Sequence, residues 1–103
     1  MKKAGPPTKV INETTYISCN IGEGLIREEV WQDSNGVVVK YNLAFVNHLL
    51  CSVDNGRVLG YDNNHNGHHR HRMGAVAPFN FTTYEALLSV FLAEVSKLRK
   101  KKK

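Results

Sequence analysis

The sequence has no long apolar run. Nothing in it approaches the roughly 20 consecutive apolar residues that a membrane helix needs, so no membrane association is expected. Met1-Lys2-Lys3 is followed by Ala4-Gly5-Pro6-Pro7 rather than by an apolar stretch, so a signal peptide is not expected and a cytoplasmic location is. Cysteine is scarce: Cys19 and Cys51 belong to no CxxC pair, and each lies in an apolar, strand-like run. That excludes a disulfide framework and fits buried free thiols. There are no internal repeats, and 103 residues suffice for one core but not two.

The formal charge is +5 at pH 7, yet most of the excess sits at the ends. Lys97, Arg99 and Lys100 to Lys103 crowd the C-terminus, Lys2 and Lys3 the N-terminus, and the body between is slightly acidic. Basic ends attract polyanions weakly and without sequence preference, so they are poor evidence for a nucleic-acid partner. Arginines inside a histidine-rich segment are better evidence.

Residues 1–13 read as a flexible N-terminal arm, because Gly5-Pro6-Pro7 suits neither helix nor central strand. A single domain then spans 14–98, and 99–103 form a basic C-terminal tail. Thr14 to Ile21 alternates and is rich in β-branched residues, a strand. Leu25 to Asp33 and Val37 to Val46 flank Asn35-Gly36, a strong hairpin signal. Pairing about that turn sets Val30 opposite Tyr41 and Ile26 opposite Phe45. Val39, Leu43 and Phe45 then share an apolar face, and Glu29, Trp31, Lys40 and Asn42 take the other. Trp31 on the mixed face belongs either to a second small cluster or to a stacking or docking platform.

Leu49 to Val53 continues the strand pattern, with His48 a structural residue in the sheet. Asp54-Asn55-Gly56 turns the chain, and Arg57 to Asp62 returns as a strand. Ala75 to Phe81 is extended, with Pro78 marking an edge. Thr82-x-x-Glu85 reads as a capping box opening a helix over 83–100. Leu87, Leu88, Phe91, Leu92, Val95 and Leu98 form its apolar stripe. The expected fold is α+β: a small antiparallel hairpin meander with the C-terminal helix packed on one face.

Between those elements lies Gly60 to Gly74, which holds four of the five histidines, His65, His68, His69 and His71, with Arg70, Arg72 and Asp62. Histidine and aspartate can ligate zinc-like ions, but the spacing fits no standard finger and the arginines oppose a cation. Imidazoles can instead serve as base and acid on a phosphodiester, with arginine holding the phosphate, and that needs no metal or other cofactor. A solvated polar loop is the plain alternative. In the acid–base reading His69 and His71 are the proton-transfer pair, since residues two apart on an extended segment project to one side. Asp62 orients one imidazole, and Arg70 or Arg72 holds the phosphate. Arg70 is the less well placed if the segment is extended, because it then points away. His65, His68, Asn63 and Tyr61 are assigned to substrate binding.

Leu59-Gly60-Tyr61-Asp62-Asn63, His68-His69-Arg70-His71, Pro78-Phe79-x-Phe81-Thr82 and a closing helix with Glu85, Leu88, Phe91 and Val95 resemble the TumE-like toxin family of prokaryotic toxin–antitoxin pairs. The resemblance covers about Arg57 to Leu98. It implies a growth inhibitor neutralised by an antitoxin protein, with RNA as the target, and leaves a homodimer open. The residue roles come from side-chain chemistry, not from the family. Joined to the resemblance, they describe an endoribonuclease that works without metal. A non-catalytic nucleic-acid- or protein-binding module and a metal-dependent nuclease are the alternatives.

Overall fold

The computed structural model of the protein describes residues 5–64 and 66–102, and His65 lies outside them. Six strands form one sheet in chain order: β1 (Thr8–Ser18), β2 (Glu23–Gln32), β3 (Val38–Val46), β4 (Arg57–Asp62), β5 (His69–Arg72) and β6 (Ala75–Pro78). Every neighbouring pair is antiparallel, and a single helix, α1 (Tyr84–Leu98), closes the described fold. This is the expected α+β meander, with more strand at its start.

The β2–β3 hairpin has the expected register, with Val30 opposite Tyr41 and Ile26 opposite Phe45. Its turn is held by Asp33, whose Oδ1 accepts from Asn35 N at 2.8 Å and Val37 N at 3.0 Å, while Gly36 supplies a φ of 79°. Tyr41, Leu43 and Phe45 are fully buried on one face of β3, beneath Phe91, Val95 and Leu98 of α1. Val39, placed in that core from the sequence, is 39% exposed near the strand's start.

Three expectations change. Residues 8–13 are not an arm, because Thr8 to Glu13 pair with β2 along the sheet edge. Leu49 to Val53 is not a strand, and buried Asn47 is the reason. Its Oδ1 accepts from Leu49 N at 3.0 Å and Leu50 N at 3.1 Å, and its Nδ2 donates to Ile21 O at 2.8 Å. The side chain thus takes the amides a continued ladder would have used. His48 accordingly sits exposed in this turn rather than in the sheet. Finally, the helix cap is Thr83, not Thr82. Thr83 is extended and its Oγ1 accepts from Ala86 N at 3.1 Å, which leaves Glu85 in the first turn without a capping-box partner.

At its other end α1 is tied back to β1. Arg99 donates to the Ser18 carbonyl and hydroxyl, both at 2.8 Å, and Asn20 Nδ2 donates to Lys100 O at 2.8 Å. The basic segment therefore begins as part of the fold. Among the described residues no helix is long and apolar enough to cross a membrane.

Candidate functional site

The histidine segment is mostly strand. Met73 and Gly74, with φ of 50° and 86°, turn β5 into β6, so His69–Arg72 lies between two partners instead of looping free. Residues opposite one another in an antiparallel pair share a face. His69 pairs with Asp62 and His71 with Gly60, so His69, His71 and Asp62 are on the face away from α1. Asn42 and Ala44 continue that open face across β3, then Glu29 and Arg27 across β2.

Arg57 completes the group, and the sequence analysis missed it. Regular alternation from Tyr61 and Leu59 would aim Arg57 at the helix. A bulge intervenes, for Leu59 pairs with Phe45 while Arg57 pairs with Val46, leaving Val58 as the extra residue. Arg57 is thereby carried to the open face, where its side chain runs over Gly60. Its Nη2 donates to His71 Nδ1 at 3.0 Å, its Nε donates to Asp54 Oδ2 at 2.7 Å, and Nη1 lies 3.7 Å from Asp62 Oδ2. The one available signal was the glycine three residues further on, which makes room for a long side chain.

This geometry fixes a tautomer. A guanidinium can only donate, so His71 Nδ1 is the acceptor and the ring proton of the neutral imidazole is on Nε2. Nε2 is 2.9 Å from Asp62 Oδ2, but the carboxylate is off the N–H axis, making this an electrostatic contact rather than an aligned hydrogen bond. Asp62 is only 5% exposed. His69 differs: its side chain is partly exposed and makes no hydrogen bond to another described residue.

The other sequence-derived candidates are held elsewhere. Arg70 and Arg72 pair with Tyr61 and Leu59, which places both on the helix side. Arg70 forms an ion pair with Glu94 of α1 and donates from Nε to the Tyr61 hydroxyl at 2.9 Å. The same hydroxyl donates to Glu94, and burial, then Glu94, pushes the Tyr61 phenol up from its ordinary value. Tyr61, Arg70 and Glu94 thus clamp helix to sheet. Arg72 Nε is buried without a hydrogen-bond partner among the described residues.

Asn63 extends the β3–β4 ladder with its side chain, accepting from Tyr41 N and donating to Val39 O, both at 3.0 Å. His68 Nδ1 lies 2.7 Å from the Tyr41 hydroxyl, with its ring stacked on Phe81 at 4.3 Å and 5°. Burial, then Asp62, raises the Tyr41 phenol. Among the described residues no three His, Cys, Asp or Glu side chains gather as a metal-ligand set.

The open face therefore carries one cluster of proton-transfer groups and fixed charge: His69, His71, Asp62 and Arg57. Comparison with curated proteins and with solved structures gives no match. The family model described as Toxin TumE, in contrast, matches residues 10–99. That span takes in β2 to α1 and nearly all of β1, well beyond the motifs of the C-terminal half. The chain belongs to the TumE toxin family, and membership makes it the toxin component of a toxin–antitoxin system.

Proposed function

We propose that the toxin acts by cleaving RNA at the open-face cluster, without a metal, and that a partner antitoxin restrains it. The observation that carries this is the placement of His69, His71 and Asp62 on one face, with Arg57 folded over Gly60 onto the latter two. His69 and His71 are two residues apart on a strand, about 6.6 Å at strand rise, a spacing that lets two imidazoles flank one phosphate.

In this reading one imidazole accepts the ribose 2′-hydroxyl proton as that oxygen attacks phosphorus. The other gives a proton to the departing 5′-oxygen. The products are a 2′,3′-cyclic phosphate and a 5′-hydroxyl. His69 begins unencumbered, whereas His71 Nδ1 is occupied by Arg57. A substrate phosphate draws the guanidinium away, since a charged, bidentate acceptor outcompetes a neutral imidazole nitrogen. Arg57 then stabilises the charge that grows on the phosphate, and His71 Nδ1 is released to take or give a proton. Asp62 keeps the His71 ring oriented throughout.

Arg57 does here what the sequence assigned to Arg70 or Arg72, because the latter pair faces α1. The test is induced expression in a bacterial host with and without the neighbouring gene, followed by mapping of RNA ends. Growth arrest with new 5′-hydroxyl ends, relieved by the neighbouring gene, is expected. Growth arrest with intact RNA would refute cleavage.

A further inference from the structure

Trp31 is the single tryptophan of the chain and stands on the same open face as the histidine cluster. It is half-buried, and two ammonium groups lie over its ring: Lys9 Nζ at 5.0 Å and Lys40 Nζ at 4.6 Å from the centroid. The three residues come from adjacent strands in register, Lys9 opposite Trp31 on β1 and Lys40 opposite it on β3. Lys9 also reaches Glu29 at 2.5 Å, and Glu29 accepts from Asn42 at 3.0 Å. An aromatic ring with lysine ammoniums over it has a defined chemistry. A planar base can replace an ammonium against the ring, and the displaced lysine can move to a flanking phosphate.

The placement relative to the cluster is set by the sheet. From Asp62 the path runs across one strand to Asn42, two residues along β3 to Lys40, and across one more strand to Trp31. With strands about 4.8 Å apart and about 3.3 Å per residue, Trp31 is about 12 Å from Asp62. A short run of nucleotides covers that span. Between the two lie Asn42 and Glu29, a polar floor with no large apolar side chain to exclude a backbone.

We infer that Trp31, Lys9 and Lys40 form a nucleotide subsite that stacks an unpaired base of single-stranded RNA a few nucleotides from the phosphate held at Arg57. The inference rests on the RNA reading above and deepens it: the ligand is unpaired, because a base in a duplex offers no free face for stacking. Recognition by stacking with lysine contacts to phosphate is tolerant of sequence and sensitive to salt.

The probe is a labelled single-stranded oligonucleotide with 2′-O-methyl riboses, which cannot be cleaved by attack of the 2′-oxygen. Its binding to the full chain is followed by anisotropy, and separately by the intrinsic fluorescence of Trp31. Quenching of that fluorescence on binding is expected, with none from an abasic strand of equal length. Trp31→Ala is expected to weaken binding about 5- to 150-fold, and Trp31→Phe, which keeps a stacking face, to recover most of it. Lys9→Ala and Lys40→Ala should each lower the salt slope by about 1.

Oligonucleotide binding that leaves the fluorescence unchanged would overturn the subsite even if the toxin cleaves RNA. Equal binding of a duplex, or equal quenching by polyglutamate, would overturn it too, the latter marking a protein-docking face. Quenching by the uncleavable strand from a protein that cuts no RNA would uphold the subsite and refute the cleavage reading alone.

Discussion

Arg57 occupies the space that a side chain on Gly60 would need. A Cβ added to Gly60 would stand 2.7 Å from Arg57 Cδ and 3.2 Å from the Leu43 carbonyl oxygen. The glycine is there for close approach, since its own φ is not in the left-handed region. Gly60→Ala should therefore lift Arg57 off His71 and Asp62. Expected is a fall in RNA cleavage of at least about tenfold, the scale of one mispositioned phosphate contact. Arg57→Lys should show a similar loss, because a lysine lacks the fork that reaches three partners. Unchanged activity in both variants would remove Arg57 from the site.

His68 has the opposite character. It is locked between the Tyr41 hydroxyl and the flat face of Phe81, with Phe79 edge-on at 5.8 Å. His68→Ala should destabilise by about 1–3 kcal/mol, since it strips a partner from a buried hydroxyl as well as losing the stack. Urea unfolding measures this. A variant as stable as the parent but inactive would return His68 to the substrate-binding role suggested by the sequence.

Much of this fold was legible where punctuation and periodicity agree. Asn35-Gly36 fixed one hairpin, alternation then assigned both faces of β2 and β3, and the three- and four-residue spacing found the buried side of α1. The first half of β1 escaped because an exposed edge strand needs no alternation: Lys9, Asn12 and Glu13 are all exposed. Leu49 to Val53 misled because Asn47 ends the strand with its side chain, a tertiary fact. At the site, period-two reasoning put His69 and His71 together and turned Arg70 away. It failed for Arg57, because a bulge breaks the parity on which it depends.

The core should respond as a small single layer of helix on sheet would. Phe91 is fully buried and meets Tyr61 edge-on at 6.3 Å. Phe91→Ala is expected to cost about 3–5 kcal/mol, a large share of the stability of a domain this size. A variant that melts with the parent would mean α1 is not docked on this face.

Acid should weaken the open face through Glu29. The hydrogen bonds from Lys9 and Asn42 hold its carboxyl below the usual carboxylate range. A folded-state value below the unfolded one stabilises above the unfolded value, about 4.3. That contribution is lost as pH falls through the folded value. The stability gap between the parent and Glu29→Gln should thus be steady from neutral pH to about pH 5 and shrink below it. Part of the pair is exposed, so the gap should be no more than about 1 kcal/mol. Urea midpoints taken across that range check the sign, and a gap that widens in acid would contradict it.

The two histidines proposed for proton transfer should separate by their effect on stability. His69 is partly exposed and makes no hydrogen bond to another described residue, so His69→Ala should leave the melting temperature nearly unchanged while activity falls about 10²–10⁴-fold. His71 lies between Arg57 and the buried Asp62 carboxylate, so His71→Ala should lose comparable activity and also about 1–3 kcal/mol of stability. Where one imidazole must be neutral and the other protonated, the rate follows a bell-shaped pH profile, and each single variant should lose one limb of it. Activity should persist in the presence of a chelator. Restoration of a chelated enzyme by zinc or manganese would point to a metal-dependent nuclease instead. Full toxicity in both alanine variants would place the chemistry of this toxin away from β5.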